Sequence, residues 1–230
     1  MIESDDLKAE NWGKYGELIL SSELIYPQQI RTPMEEFIEI LSSEDTVAKV
    51  LLVDSRYAGN AIGFCLTGEE KRDFGLDGVT AGSNVIYLFN FVVNPEFQGN
   101  GYGRRLLKEF IMAARNKGYD TLAGHFRNNG SLHIIEKLGA QKKGILKDWE
   151  STGEDYIFCL LDLRTSAVMD FIENKSPEHY VLQPASAIAQ FGVCQRPLTA
   201  GLRPVDTNPL ANLQVPALHC QNDGISALHP

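Results

Sequence analysis

Hydrophobic side chains recur at helical spacing in four segments of the first 164 residues. The segments that this period predicts as helices are Leu7 to Ser22, Pro33 to Leu41, Leu106 to Lys117 and Ser131 to Leu138. Thr32 is the expected N-cap of the second helix, with Pro33 at its first helical position. Gly118 and Gly139 follow the last two helices and are their expected C-terminal caps. Each of these helices has one apolar face to bury.

Short apolar runs between the helices predict six β-strands. The predicted strands are Val47 to Val53, Ala61 to Leu66, Val85 to Val93, Thr121 to Phe126, Ile145 to Trp149 and Tyr156 to Leu163. Residues 57–60 predict the turn of a first hairpin, residues 69–83 a polar, glycine-rich loop, and residues 151–154 the turn of a last hairpin. The third strand contains no charge, which indicates burial on both faces. The order ααβββαβαββ predicts an α+β fold, a mixed sheet with helices on both faces.

The composition changes near residue 165, and this change predicts a domain boundary. Residues 1–164 hold 25 of the 30 acidic and 18 of the 21 basic residues, whereas residues 165–230 hold seven of the ten prolines. Closely spaced prolines leave no room for a long helix or a central strand. The prediction is a folded domain over 1–164 and a C-terminal extension over 165–230, with room for one short helix at 165–174. Composition leaves open whether the extension packs on the domain, covers a groove or is disordered.

Overall composition and charge exclude several classes of function. The chain has 230 residues, of which 43% are hydrophobic and 22% charged, as in globular proteins. The longest apolar run, 84–95, is far shorter than the ~20 residues of a membrane span, and the acidic N-terminus lacks the pattern of a secretory signal, so a cytoplasmic location is predicted. The net charge of -9 argues against a nucleic-acid partner. The four cysteines are too widely spaced to indicate a disulfide framework or a zinc site, and no metal is expected.

The end of the third strand carries the most informative motif. After Val93, an Asn-Pro-Glu-Phe-Gln segment leads to Gly99, Gly101 and Gly103, which alternate just before a helix. Backbone N–H groups and a helix N-terminus then converge on one spot without a side chain in the way, and such a spot binds phosphate. The segment lacks the Gly-Lys-Ser/Thr of a Walker A loop and the third glycine of a dinucleotide fingerprint. A plain tight turn before a glycine-rich helix start is the alternative explanation.

Two segments of the chain resemble the cofactor segments of the GNAT (GCN5-related N-acetyltransferase) superfamily. Gln98-x-x-Gly101-x-Gly103, after a strand and Asn-Pro-Glu, resembles the acyl-CoA loop of that family. Asn128, followed by a helix and Gly139, is similar to its second cofactor segment. Together with the order of strands and helices, the resemblance covers residues 5–163.

The resemblance implies a mostly antiparallel sheet with a V-shaped split between the strands Val85–Val93 and Thr121–Phe126, in which acetyl-CoA lodges as co-substrate. The pyrophosphate is expected on the backbone amides of residues 99–104, and the backbone of residues 92 and 93 is expected to hold the pantetheine arm and polarise the thioester carbonyl. Ser131 is expected as a further contact or as a helix cap. The residues expected to bind the cofactor are Val92, Val93, Gln98, Gly99, Asn100, Gly101, Tyr102, Gly103, Arg104, Asn128 and Ser131.

The side chains that usually handle protons in this family are absent at their usual places. The glutamate of a splayed strand corresponds to Asn90 or Ala123, and the tyrosine of the following helix corresponds to Ile135. His125 is the first candidate to replace them, because an unperturbed imidazole with a pKa of about 6.5 suits a general base at neutral pH. The alternative is that His125 is a half-exposed histidine on a strand, without a catalytic role.

Other polar residues are further candidates for catalysis. Asn90 has no titratable group, but its amide is able to order a water molecule or the acetyl group. Tyr156 and Glu154 lie on the terminal hairpin and are candidates for the general acid and for acceptor contact. His133 is a weaker candidate, since it points to a different helix face from Ile135.

The expected activity is transfer of an acetyl group from acetyl-CoA to a primary amine of a small molecule, peptide or protein. The missing glutamate and tyrosine leave a second hypothesis open, a non-catalytic acyl-CoA-binding or sensing module. A nucleotide-phosphate enzyme is disfavoured, because the loop has no phosphate-binding lysine and no acidic magnesium motif is evident. A monomer and a homodimer are both compatible with the sequence.

Overall fold

The computed structural model describes residues 1–73, Leu76 and residues 84–173. These residues form seven strands, six α-helices and five short 3-10 helices. The strands are β1 (Ile2–Asp6), β2 (Val47–Val53), β3 (Arg56–Cys65), β4 (Val85–Val93), β5 (Thr121–Arg127), β6 (Gln141–Leu146) and β7 (Tyr156–Asp162). The helices are α1 (Trp12–Ser22), α2 (Met34–Ser42), α3 (Gly68–Asp73), α4 (Tyr102–Asn116), α5 (Gly130–Lys137) and α6 (Ser166–Ile172). The expectations for residues 74, 75, 77–83 and 174–230 lie outside the described residues.

The seven strands form one sheet in the order β1-β2-β3-β4-β5-β7-β6. Every neighbouring pair is antiparallel except β4 and β5, which are parallel. Helix α4 lies in the crossover that joins these two parallel strands, as parallel pairing requires. The predicted α+β fold, with a mixed and mostly antiparallel sheet, is confirmed.

Helices cover both faces of this sheet, as predicted. On one face, α4, α5 and α6 bury Phe110, Leu132 and Phe171. On the other face, α1 and α2 bury Ile19 and Phe37. Each such side chain contributes about 1.5–3 kcal/mol through the apolar surface that it removes from water. Since β4 is the central strand, all nine of its residues are buried, which confirms the prediction for the uncharged segment.

The N-terminal segment differs from its prediction. Residues 2–6 form the edge strand β1, paired with β2, although their acidic composition gave no strand signal. The pairing with β2 supplies the stabilisation that local propensity lacks. The first helix begins at Trp12 and not at Leu7, because Leu7 is still bonded through its N–H to the Ala48 carbonyl.

The turn of the first hairpin is shifted from its predicted place. Residues 57–60 belong to β3, and the chain reverses at Asp54 and Ser55, which both have positive φ. Two consecutive left-handed residues match the right-handed twist of the flanking strands, and this makes a tight two-residue hairpin. Tyr57 and Asn60 are buried in the sheet, so their turn-like composition was misleading.

The loop predicted over 69–83 begins with a short helix, α3. Thr67 and Glu70 form a capping box, in which the Glu70 N–H donates to the Thr67 hydroxyl and the Thr67 N–H donates to the Glu70 carboxylate. This reciprocal arrangement satisfies two N–H groups that a helix start leaves unpaired. The Thr-x-x-Glu spacing was visible in the sequence.

The last hairpin has a longer connection than predicted. Strand β6 ends at Leu146, so the predicted strand Ile145 to Trp149 was wrong beyond that residue, and residues 147–155 join it to β7. Asp148, Glu150 and Ser151 have φ values of 44°, 49° and 58°. Such left-handed residues cannot continue a strand, which explains the early end of β6.

Helix α6 is the helix expected at the start of the C-terminal extension. The Thr165 side chain accepts a hydrogen bond from the Val168 N–H and caps it. Val168 and Phe171 are 0% and 1% exposed and join the core against α4. The packed core therefore includes residues of α6, beyond residue 164. No helix within the described ranges is long and apolar enough to cross a membrane.

Because α6 completes the core, Phe171→Ala in the full chain is expected to lower the free energy of unfolding by about 3–5 kcal/mol. Urea denaturation followed by circular dichroism measures this free energy. Unaltered stability of Phe171→Ala would contradict the placement of α6 in the core.

Candidate active site

The parallel strands β4 and β5 separate within the sheet. They are paired only at their starts, where the last pair is Tyr87 with Ala123. Beyond it, β4 stays paired with β3 to Val93, and β5 stays paired with β7 to Arg127. A gap therefore opens in the middle of the sheet, between two strands that are each held from outside.

Hydrogen bonds at the end of β4 show which backbone groups face this gap. The Asn94 N–H donates to the Ala58 carbonyl, the residue just before Gly59 in β3, at 2.9 Å. A Cβ built on Gly59 would lie 2.2 Å from the Val92 carbonyl oxygen, which places that carbonyl beside β3 as well. Because N–H and C=O groups alternate in direction along a strand, the backbone of Val93 points to the opposite edge.

Phe91 shares the direction of Val93 by the same alternation. The Phe91 carbonyl accepts a hydrogen bond from the Tyr26 hydroxyl at 3.3 Å, and the Val93 carbonyl accepts one from Gln98 Nε2 at 2.8 Å. Both acceptor bonds come from side chains and not from a strand. The gap-facing amides are thus those of Phe91 and Val93, and the sequence-based assignment of Val92 is corrected, since its backbone pairs with β3.

The glycine turn lies directly beyond the gap. Gly99 and Gly101 have φ values of 77° and 80°, and a Cβ built on either would meet no atom within 4 Å. Gly101 is the N-cap of α4, so the N–H groups of the first turn of that helix point toward this open space. Asn100 folds back on the turn, with its side-chain amide bonded to the Gln98 carbonyl. The turn is therefore a cradle of backbone donors with room for a ligand.

Basic side chains follow the turn on α4. Arg104 is exposed, with its guanidinium 4.7 Å from the Phe171 ring centroid, and Arg105 forms an ion pair with Glu109. Lys108 is buried, and burial, followed by the charge of Arg105, lowers the pKa of its ammonium group. An anion in the cradle would be attracted by these cations and by the helix N-terminus.

Asn128 and Ser131, both predicted to bind the cofactor, lie at the junction between β5 and α5. Asn128 is exposed at this corner. Asn129 is the N-cap of α5, because its side-chain oxygen accepts hydrogen bonds from the Ser131 N–H at 3.0 Å and from the Ser131 hydroxyl at 2.7 Å. Of the two roles expected for Ser131, the hydroxyl is thus engaged in helix capping.

His125 lies on β5, two residues beyond the last pair with β4. It is 1% exposed, so the expectation of a half-exposed strand histidine was wrong. Its Nδ1 and the Tyr87 hydroxyl share a hydrogen bond of 2.8 Å. The ring centroids of Trp149 and Phe158 each lie 4.6 Å from that of His125. Two side chains that can carry protons therefore meet at the point where the strands diverge.

A buried carboxylate that the sequence analysis did not identify lies beside β4. Glu23, just after α1, is 2% exposed. Its oxygens accept hydrogen bonds from Asn90 Nδ2 at 2.9 Å and from the Thr32 N–H at 3.0 Å. Asn60 Nδ2 donates a hydrogen bond to Asn90 Oδ1 at 2.5 Å. The network fixes the orientation of the Asn90 amide and ties the end of α1 to the sheet.

A bulge in β4 turns Asn90 toward α1. Ile62 pairs with Asn90 and Gly63 pairs with Leu88, so Phe89 is an extra residue in β4. The extra residue places Phe89 and Asn90 on the same face of the sheet. No sequence signal marked the bulge, because every residue around it is compatible with a regular strand.

A second group of polar side chains surrounds the end of β5. Tyr156 is fully buried, and its oxygen accepts a hydrogen bond from Arg127 Nε at 2.8 Å. Arg127, which is 6% exposed, also forms an ion pair of 2.6 Å with Glu154. The structure thus brings the two predicted hairpin residues together through an arginine that the sequence analysis missed. Tyr26 covers this arginine from the other side, with its ring centroid 5.5 Å from the guanidinium carbon.

The connection between β6 and β7 places Trp149 in the same group. Trp149 packs with Tyr26, Val92 and Tyr156 and is 7% exposed. Its indole Nε1 is buried and has no hydrogen-bond partner among the described residues. An unpaired buried donor costs about 1–3 kcal/mol, and each non-glycine residue held at positive φ in this connection costs a similar amount. The segment therefore carries strain next to the gap.

The sequence matches a known family over more than half of its length. The model of the acetyltransferase (GNAT) family matches residues 17–140. The ribosomal protein bS18-alanine N-acetyltransferase of Haemophilus influenzae is 35% identical over 63 residues, which are 27% of this chain and 43% of that protein. The match thus spans less than half of the length of this relative.

Solved structures of the family share the fold. The ribosomal-protein-S18-alanine N-acetyltransferase of Escherichia coli has a TM-score of 0.54 at 20% identity, over 72% of this chain and 96% of that chain. The polyamine N-acetyltransferase of Drosophila melanogaster has a TM-score of 0.58 at 13% identity, over 71% of this chain and 100% of that chain. From the family match, together with the split sheet and the glycine turn, we conclude that this chain belongs to the GNAT family of acetyltransferases.

Proposed function

We propose that this protein transfers an acetyl group from acetyl-CoA to a primary amine. The observation that carries the proposal is the separation of β4 from β5, with the glycine turn at the end of β4. Acetyl transfer joins the amine nitrogen to the acetyl carbon and breaks the carbon–sulfur bond. An alkylammonium loses two protons in this reaction: one goes to a base before the attack, and the second leaves the nitrogen after the attack and balances the proton that the thiolate gains. The protein must therefore bind an anionic cofactor, orient a thioester and handle two protons.

The residues of the gap and turn fit coenzyme A. The open space at Gly99 and Gly101, beside Arg104, suits a pyrophosphate. The amides of Phe91 and Val93 suit the pantetheine arm and the thioester carbonyl, because fixed N–H donors stabilise charge that develops on a carbonyl oxygen. Acetyl-CoA supplies an acetyl group activated as a thioester.

The proton of the amine is proposed to leave through Tyr87 and His125. An alkylammonium has a pKa of about 10.4, so a base is needed at neutral pH. In the neutral form His125 accepts the Tyr87 hydroxyl hydrogen at Nδ1, and Tyr87 in turn takes the ammonium proton, so the pair acts as a short relay. Asn90, held by Glu23, positions the acceptor from the neighbouring part of β4. The Tyr156 hydroxyl, held by Arg127, is the proposed proton donor to the thiolate.

The acceptor is proposed to be a primary amine of a small molecule or of a peptide. The similar proteins named above act on a ribosomal protein alanine or on a polyamine, and both substrates present such an amine. Incubation of the protein with acetyl-CoA and a panel of peptides, amino acids and polyamines, followed by mass spectrometry, tests the activity. Binding of acetyl-CoA without acetylation of any amine would favour the alternative, a non-catalytic acyl-CoA-binding module.

Gly101→Glu is expected to weaken acetyl-CoA binding by at least 100-fold, that is, by about 3 kcal/mol or more, since the new carboxylate would occupy the cradle and repel the pyrophosphate. Isothermal titration calorimetry measures the affinity. Gly118→Glu is the matched control, because Gly118 has a φ of 90° and lies at the other end of the same helix, also with open space around its Cβ. Equal affinities of the two variants would refute the cradle.

His125→Gln is expected to lower kcat by about 10²–10⁴-fold with little change in the KM for acetyl-CoA, since glutamine cannot accept the proton. Initial rates of the wild type and the variant across pH 6 to 9 measure the effect. Exposed His133 offers the control His133→Gln, which should behave as wild type. A folded His125→Gln enzyme with normal rates across pH 6 to 9 would exclude the relay.

A further inference from the structure

The indole N–H of Trp149 is the clearest unsatisfied group near the proposed active site. It is a buried donor without a partner among the described residues. An indole nitrogen only donates hydrogen bonds, so its missing partner must carry an acceptor atom. Buried donors are nearly always satisfied, which points to a ligand at this position.

Trp149 packs directly against His125, which belongs to the proposed proton relay. Its ring centroid is 4.6 Å from that of His125, and its cluster includes Val92, which is flanked by the gap-facing residues Phe91 and Val93. A group bound at the indole would be the part of the acceptor next to the reacting amine. Trp149 thus lies where the acceptor and not the cofactor is expected.

The connection that carries Trp149 contains strained backbone. Asp148, Glu150 and Ser151 are all non-glycine residues at positive φ. The indole nitrogen is covered, so an acceptor reaches it only when this connection shifts. Relief of the backbone strain and satisfaction of the N–H both favour the shifted form, in which the ligand replaces the lost packing.

The chemistry of the donor distinguishes between amine classes. Protonated polyamines and guanidinium groups offer only donors, so they cannot satisfy an indole N–H. An α-amine of a peptide has a carbonyl oxygen two bonds from its nitrogen-bearing carbon. Free amino acids carry a charged carboxylate there, and Trp149 is flanked by exposed Asp148 and Glu150, which repel a second negative charge. A neutral carbonyl is the best match.

We propose that Trp149 binds the first carbonyl of a peptide and thereby selects peptidyl α-amines as acceptors. This inference rests on the proposed acetyltransferase activity and adds its substrate class. Trp149 acts as a specificity residue for the acceptor, in contact with substrate, and takes no part in the proton transfer.

Alaninamide and sec-butylamine have similar size and shape but differ in the carbonyl and in the basicity of the amine. Only the carbonyl effect depends on Trp149, so the change of their rate ratio on mutation tests the proposal, and alanine and spermidine extend the series. The wild-type protein is expected to acetylate alaninamide with a kcat/KM about 10-fold or more above that of sec-butylamine, as one hydrogen bond provides. In Trp149→Phe this ratio should fall by about 10-fold relative to the wild type, through a higher KM for alaninamide. Trp12→Phe, which changes the other tryptophan, should leave the ratio intact.

A binding measurement separates this inference from the proposed activity. In the Trp12→Phe protein the fluorescence comes from Trp149 alone, and addition of a tetrapeptide with a free N-terminus, in the presence of CoA, should shift it, whereas spermidine should not. A fluorescence shift without acetylation of any amine would refute the activity but retain the carbonyl site. Acetylation without a carbonyl preference, or a ratio that is unchanged in Trp149→Phe, would overturn the role of Trp149 and leave the activity standing.

Discussion

The separation of β4 from β5 is the constraint on which the candidate site depends. A sheet loses hydrogen bonds when two central strands diverge, and buried backbone groups left unpaired are costly. Each strand keeps its outer partner, so the sheet stays whole while the inner edges open. Side chains satisfy part of this deficit, since the Tyr26 hydroxyl and Gln98 Nε2 donate hydrogen bonds to carbonyls of β4 that have no strand partner. We propose that the amides of Phe91 and Val93, which face the gap, bind the cofactor.

The remaining parts of the site are arranged around this opening. The bulge at Phe89 turns Asn90 toward α1, where buried Glu23 fixes its amide. His125 and Tyr87 meet at the apex of the opening, and the group around Arg127 lies at the far end of β5. The proposed acceptor side is therefore lined by side chains in fixed hydrogen bonds, whereas the proposed cofactor side is lined mainly by backbone. This division agrees with a cofactor that is the same in every reaction and an acceptor that is selected by side chains.

The sequence predicted those features that depend on local pattern. Strand β4 was predicted from its uncharged run, and the glycine turn from the alternation of Gly99, Gly101 and Gly103. The same reasoning missed β1, because an edge strand with acidic residues is stable only through its partner. It also misplaced the first turn, since a strand that is buried by tertiary packing tolerates the glycine and asparagine of a turn.

Site residues that act through distant partners were not predictable. Glu23 lies 67 positions from Asn90, and no periodicity connects them. The missing hydrogen-bond partner of Trp149 Nε1 likewise depends on the residues around it in the fold and not on its neighbours in the sequence. His125 was proposed as a base from its position on the strand. Its hydrogen bond to Tyr87 depends on the register of β4 and β5, which the sequence does not show. The proposed acceptor side therefore depends on long-range contacts, and the proposed cofactor side depends on local motifs.

Amide hydrogen exchange measured by NMR, with and without acetyl-CoA, tests the central claim most directly. The amides of Phe91 and Val93 face the gap and should exchange more slowly by at least 10-fold when acetyl-CoA binds, because each gains an acceptor. The amide of Val92 is already paired with β3 and should change little. Slowed exchange at Phe91 and Val93 is the expected result, and unchanged exchange at both residues with saturating acetyl-CoA would contradict the account.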